Sequence, residues 1–482
     1  MQSLPRELVS EIFVACQSWR NPEHGPSPLH PPLLFCQICS SWRTIAINTP
    51  QLWANLTILL CSNWSNWKHA RILELWSLRQ GAVLATITFC QHPRASSPMI
   101  NPDSSHDEFV SSKRLFTHPL VTSARAIFFH RAKFADVRLL LDILSYTPFP
   151  HLEDMVITGC FENGEAHHDK SRGSLQPYKL KRLFFAFNRG ARIISMLPED
   201  RFWFSFDWAR LTHLSANLPS ALATWRLLLH KCTSLTHFLI KFDSGFHEIF
   251  SSDSERCKSD IIHREMVQEI ILDVSFPNIT PIFDGFIFPS ATKLRISLGG
   301  AVNGENPDLL SLSRVLSSTP NLQELHTQFC FPTGQHPKLP QFLRGHRYWE
   351  FGSTFSHPEH VEPVPFLSSL LPELKVLVFD YINAKGQAES CIQDLISILQ
   401  SEWLQKGWTT TPETGRFIQF FVDFGGHRVT SSLDAFNNKI DANFRYPVFP
   451  FRPMCNSVTV AWWRWEEPDP ENAWTHPRGW IL

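Results

Sequence analysis

The sequence predicts an α/β fold, in which a small helical segment over residues 1–60 leads into strand-plus-helix repeats over residues 61–482 whose strands form a parallel sheet. Three observations predict it. A motif of the form Leu-x-x-Leu-x-Leu recurs along the chain, apolar helical patterns stand between its copies, and the first sixty residues carry helix starts and stops in place of strand alternation.

The first helix begins near Pro5, whose missing N–H costs nothing in an opening turn, and Glu7 puts negative charge at the positive end of the helix dipole. Leu4, Leu8, Ile12 and Cys16 repeat every four residues, with Val9 and Phe13 beside them, so its apolar face is too broad for a helix facing water. Asn21 and Pro22 end it, and Pro26, Pro28, Pro31 and Pro32 punctuate the loop that follows. A second helical pattern places Leu34, Ile38, Trp42, Ile45 and Ala46 on one side, until Asn48, Thr49 and Pro50 break the chain before Trp53. So few residues bury too little for an independent core, and part of the apolar face is expected to belong to a partner. Each large side chain taken out of water contributes about 1.5–3 kcal/mol, so a few of Leu4, Leu8, Ile12, Phe13, Ile38, Trp42 and Trp53 suffice to anchor an interface.

Strands are expected over Gln51–Leu60 and Gly81–Phe89, with a helix between them carrying Trp67, Ile72, Leu75, Trp76 and Leu78. The motif then recurs at Leu152, Met155 and Ile157; at Leu180, Leu183 and Phe185; at Leu211, Leu214 and Ala216; and at Leu235, Phe238 and Ile240. Further copies start at Ala291, Leu322 and Leu374. Equivalent positions advance by 28 residues from Met155 to Leu183, by 31 to Leu214 and by 24 to Phe238. Residues two apart on a strand share a face, so Leu183 and Phe185, or Leu294 and Ile296, point into the core while the intervening side chains face out. Helices over Ala135–Leu144, Ser220–Leu229, Asp308–Leu316 and Cys391–Leu404 supply the opposite wall. Insertions at Gln91–Lys113, rich in Ser, Pro and Asp, at Glu162–Gln176, polar with Gly164 and Gly173, and at Phe331–Pro365, rich in Pro, His and Gly, read as surface loops. Near the end, a strand over Ser457–Trp465 carries Trp462, Trp463 and Trp465, which read as a cap on the repeat stack, with a binding role for the three Trp as the alternative.

Leu4-Pro5-Arg6-Glu7-Leu8, the downstream Cys39-Ser40-Ser41-Trp42-Arg43 and Pro50-Gln51-Leu52-Trp53 resemble an F-box, in the form with a long Pro-rich loop common in mushroom-type fungi. The repeats, in the spacing range of leucine-rich repeats, resemble those that follow fungal F-boxes, most clearly at Thr319–Leu325 and Leu371–Leu377. The resemblance implies a small helical F-box followed by an irregular leucine-rich-repeat solenoid. It also implies docking of a Skp-family adaptor, and through it a cullin-RING ubiquitin ligase, by Leu4, Pro5, Leu8, Ile12, Ile38, Cys39, Trp42 and Pro50. Ubiquitin transfer then happens elsewhere in the assembly, and the repeats hold a target protein near it.

Composition fits that expectation. Of the 482 residues, 44 are basic and 45 acidic, so no global field draws phosphate backbones or anionic membranes, and neither nucleic acid nor membrane is an expected partner. Eleven cysteines without compact spacing suit free thiols in cytoplasm or nucleus, and 39 Phe and 17 Trp against five Tyr favour rings that bury without a hydroxyl partner.

No metal, cofactor or catalytic residue is expected. Cys36 and Cys39 have zinc-like spacing without a second pair, and His167, His168 and Asp169, like His357 and His360, read as solvated loop residues. His247 and Glu248 lack the second histidine of a zinc-protease helix, and neither a Gly-x-Ser-x-Gly elbow nor a phosphate-binding glycine loop occurs. His213, His237 and His326 fall at neighbouring positions of their repeats, where surface histidine is the simpler reading. Two other functions fit less well: a repeat scaffold outside any ligase, and an enzyme with a dispersed α/β site.

Overall fold

The computed structural model describes residues 4–17, 25–60, 66–91, 113–130, 139–140, 143–144, 147–159, 179–187, 207–217, 228–242, 261–274, 283, 285–298, 315–330, 373, 376–382 and 419–423. The chain forms two compact units, residues 1–216 and 217–482. The predicted helix Cys391–Leu404, the interiors of the three predicted insertions and the Trp462–Trp465 tail lie outside the described residues.

The first unit opens with α1 (Arg6–Gln17), α2 (Phe35–Ile38) and α3 (Ser40–Ile47), followed by a 3-10 turn over Pro50–Trp53. The predicted second helix is thus two pieces. Cys39 is extended between them, and its Sγ accepts the Trp42 N–H at 3.4 Å, which caps α3. The break also splits the expected face: Ile45 and Ala46 are buried, whereas Ile38 and Trp42 are exposed. At the other end of α3, Thr49 Oγ1 donates to the Ile45 carbonyl at 2.8 Å, and the Trp53 indole donates to the Ala46 carbonyl at 2.9 Å.

Strand β1 (Asn55–Leu60) begins the parallel sheet of this unit and is followed by α4 (Asn66–Gln80). The expected strand from Gln51 starts only after the 3-10 turn, because Pro50 lacks the N–H of a ladder residue and suits a helical first turn. Gly81, at φ +60°, ends α4 in the left-handed conformation, so the next strand starts later than Gly81. That strand is β2 (Thr86–Gln91), and β3 (Ala126–His130), β4 (Asp154–Gly159), β5 (Arg182–Phe187) and β6 (His213–Asn217) follow in spatial as well as chain order. Pairing from β1 to β5 is parallel without a slip: Leu56, Ile87, Ile127, Met155 and Leu183 are successive partners. These five and Leu214 are buried, as are Leu152, Leu180 and Leu211 just before their strands. The residue preceding each strand repeats one bond, its N–H donating to the previous unit's carbonyl, as from Lys181 to Glu153 at 2.9 Å and Thr212 to Lys181 at 2.9 Å.

One expectation fails here. The intervening residues do not face water: Phe128, Val156 and Phe184 are buried like their neighbours. Both faces of the sheet are covered, which is why Ile127-Phe128-Phe129 and Met155-Val156-Ile157 read as continuous apolar runs.

The second unit repeats the plan with β7 (His237–Phe242), β9 (Glu269–Val274), β11 (Lys293–Leu298), β12 (Glu324–Cys330), β13 (Val376–Ile382) and β14 (Gln419–Asp423), all parallel neighbours in that order. Two short strands, β8 (Ile262–His263) and β10 (Phe286–Ile287), pair separately and in parallel. Phe238, Ile270, Leu294 and Leu325 form one buried row, and Leu235, Val267, Ala291 and Leu322 a second. Helical residues at 228–231 and 315–317 fall within or beside the predicted helices. Arg264 closes the first of these by donating from Nε to the Leu229 carbonyl at 2.8 Å and from Nη2 to the His230 carbonyl at 2.6 Å.

Candidate partner-docking site

An aromatic cluster ties the N-terminal helices together. Phe13 of α1 stacks on Phe35 of α2 with centroids 4.1 Å apart and lies 4.9 Å from the Trp42 ring of α3. The Ser10 and Thr49 hydroxyl oxygens lie 3.2 Å apart, which brings α1 against the end of α3. Below, Trp53 meets Trp76 of α4 edge-on at 5.1 Å, and the Arg79 guanidinium lies 5.3 Å from the centre of the Trp53 ring. Trp76 donates to the Asn55 carbonyl at 3.2 Å, fastening α4 to the first strand.

With Phe13 turned inward, α1 and the residues just ahead of it present the other apolar stripe to solvent. Leu4 is 59% exposed, Leu8 47% and Ile12 49%, while Ile38 and Trp42 are 52% and 36% exposed. Pro5, Cys16 and Cys39 are exposed too, and Pro50 is half-buried at the head of its 3-10 turn. Of the ten residues expected to meet a partner, Leu4, Pro5, Leu8, Ile12, Ile38, Cys39 and Trp42 are therefore open to one. Phe13 and Trp53 are each 1% exposed and belong to the packing beneath. Trp42 has both roles, since one part of its ring packs in the cluster and the rest reaches water.

Large apolar side chains normally gain about 1.5–3 kcal/mol on burial, and Leu4, Leu8, Ile12, Ile38 and Trp42, left open on or just ahead of three short helices, form a surface that association would stabilise. Glu7, Glu11, Arg6 and Arg43 are exposed on the same helices, supplying a polar rim. Arg43 Nε donates to the Cys36 carbonyl at 2.7 Å, bracing the junction of α2 and α3. Burial pushes the Cys36 thiol above its usual range, against the pull of Arg79 and Arg43, so it stays protonated.

Sequence patterning overlooked Leu29, 76% exposed in the Pro-rich loop. Leu29 N–H donates to Ser27 Oγ at 3.2 Å, and Gln37 Nε2 donates to the Pro28 carbonyl at 3.3 Å, so the loop is tied to α2. A leucine between Pro28 and His30 has no periodic partner to reveal it.

The zinc-like spacing of Cys36 and Cys39 gathers no further ligands, and no group of three His, Cys, Asp or Glu suited to a metal occurs among the described residues. His213 and His237 both open their strands, each with Nδ1 2.8 Å from the hydroxyl of the preceding Thr. His326 occupies a different row, paired with Arg295. His167, His168, Asp169, His247, Glu248, His357 and His360 lie outside the described residues. Among the described residues no helix is long and apolar enough to cross a membrane. No family model matches the chain, and no curated protein matches it.

Proposed function

We propose that this protein is a substrate-recognition adaptor of a cullin-RING ubiquitin ligase, with an F-box at its N-terminus and an irregular leucine-rich-repeat solenoid behind it. The observation that carries the reading is the coincidence of two independent sets: the residues that match the F-box pattern, and the large apolar side chains that α1, α2 and α3 leave in water. Leu4, Leu8, Ile12, Ile38 and Trp42 belong to both. A Skp-family adaptor buries them, and the two ring-stacked residues beneath, Phe13 and Phe35, keep the face rigid so that little ordering entropy opposes binding.

The reading assigns no acid, base or nucleophile to this chain. The parallel strands and their repeated connections support a repeat surface that holds a target protein, and the ligase gains rate because the target is kept near the ubiquitin-charged enzyme at high effective concentration.

Co-expression with a Skp-family adaptor followed by size exclusion tests this, comparing wild type with the double substitution Leu8→Asp, Ile12→Asp. Both side chains are half exposed, so the variant keeps its folded circular-dichroism spectrum and loses the complex. Failure of wild type to bind any Skp-family adaptor sinks the ligase reading and leaves the same face to a different helical partner.

A further inference from the structure

The strand face of the second unit holds a carboxyl group that neither the fold nor the docking face uses. Glu269 opens β9 with its side chain 5% exposed, and its Oε1 has no hydrogen-bond partner. Strand register places His237 of β7 on one side of it, Lys293 of β11 on the other, and Glu324 of β12 beyond. Arg295 lies two residues along β11, on the face it shares with Lys293.

Neither His237 nor Lys293 completes a strong pair with the acid. His237 Nε2 is 3.8 Å from Glu269 Oε2, longer than a hydrogen bond, and its Nδ1 is engaged with the Thr236 hydroxyl. Lys293 Nζ is drawn to the neighbouring carboxylate, 3.3 Å from Glu324 Oε2. A carboxylate taken from water with one oxygen unbonded is costly, while the neutral acid costs far less.

We propose that Glu269 is a proton-dependent latch on this strand face: the enclosed, half-bonded carboxyl is accommodated as the neutral acid, and its ionisation loosens β7, β9 and β11. Burial pushes its carboxyl up to about 7, an effect that Arg295 and Lys293 oppose and Glu324 reinforces. Burial, with help from Lys293, drives the His237 imidazole below its usual range, so the two neighbours favour a neutral acid beside a neutral ring. Because the folded carboxyl titrates above the unfolded one, its contribution is complete below the unfolded carboxylate range and is lost as pH rises through about 7.

The test uses the full chain, labelled with 13C at glutamate carboxyls for infrared spectroscopy, together with hydrogen exchange of β9 amides expressed as protection relative to intrinsic rates. Wild type shows a protonated glutamate band near pH 6 that Glu269→Gln lacks. Its β9 protection falls about tenfold between about pH 6 and pH 8, the change expected of a carboxyl titrating near 7, while protection in the variant stays level. Equal loss of protection in both proteins overturns the proposal. If Glu269→Gln does not fold, wild-type β9 protection decides: a fall of about tenfold between about pH 6 and pH 8 supports the latch, and level protection overturns it.

Discussion

Two kinds of apolar residue stand side by side in the first sixty, and substitution separates them. Trp53 is fully enclosed, with its indole bonded to Ala46 and its ring against Trp76. Trp53→Ala is expected to cost about 3–5 kcal/mol, from lost transfer energy and the cavity left behind, read as a lower urea midpoint. Leu8→Ala, at a half-exposed site, is expected to lower stability by no more than about 0.5 kcal/mol in the same titration and, on the proposed function, to weaken adaptor binding. In the sheet, Asp154 accepts from both Nε and Nη2 of Arg182, its side chain 7% exposed. Asp154→Ala leaves a guanidinium partly buried beside it and is expected to cost about 3 kcal/mol, the low end for a broken buried pair because a quarter of the Arg182 side chain reaches water. The companion Arg182→Ala removes the opposite charge and should be comparably unfavourable.

At the scale of elements, the apolar rows of the strands were legible because a Leu-x-x-Leu-x-Leu spacing makes sense only when both members of an i, i+2 pair enter one core. Strands β9 and β3 escaped that reading. The first has Val267 in place of the leading leucine, and Ala126-Ile127-Phe128-Phe129 is apolar throughout, so alternation carries no information where both faces are covered. The same loss of contrast hid Glu269, a lone acid at the head of Glu269-Ile270-Ile271-Leu272 whose burial depends on cross-strand neighbours far away in sequence. Helix faces were legible in α1 but misread across Cys39, since a single extended residue rotates everything after it and periodicity alone does not announce the break. Leu78 shows the limit again: named among the apolar residues that α4 carries, it is 81% exposed, while Leu73 and Trp76 are buried. Where α4 ends, Gly81 takes a left-handed conformation with only Pro50 Cγ, 4.0 Å away, near the position of an added Cβ. Gly81→Ala therefore meets no clash and costs only the backbone strain, about 1–2 kcal/mol in thermal or urea unfolding, and Gly81→Asn costs less.

At the scale of the whole chain, the described cysteines report on packing and offer a test of the proposed partner. Cys90 and Cys232 are both buried away from reagent, and burial pushes the Cys232 thiol up to about 12, so Cys232 offers no reactive thiolate either. Cys16 and Cys39 are exposed free thiols, the first continuing the Leu4–Leu8–Ile12 stripe and the second standing between Ile38 and Trp42. Brief iodoacetamide treatment followed by peptide mass spectrometry should modify Cys16 and Cys39 in the isolated protein and reach Cys90 and Cys232 only in denaturant. Adding a Skp-family adaptor should slow Cys39 alkylation at least several-fold, because an interface that buries Ile38 and Trp42 must also cover the residue between them, while the buried thiols remain silent in both samples. Unchanged Cys39 alkylation in a complex that size exclusion shows to be intact would move the docking surface away from the junction of α2 and α3. That result would confine the contact to α1, where the rate at Cys16 becomes the measure of how far along the stripe the partner reaches.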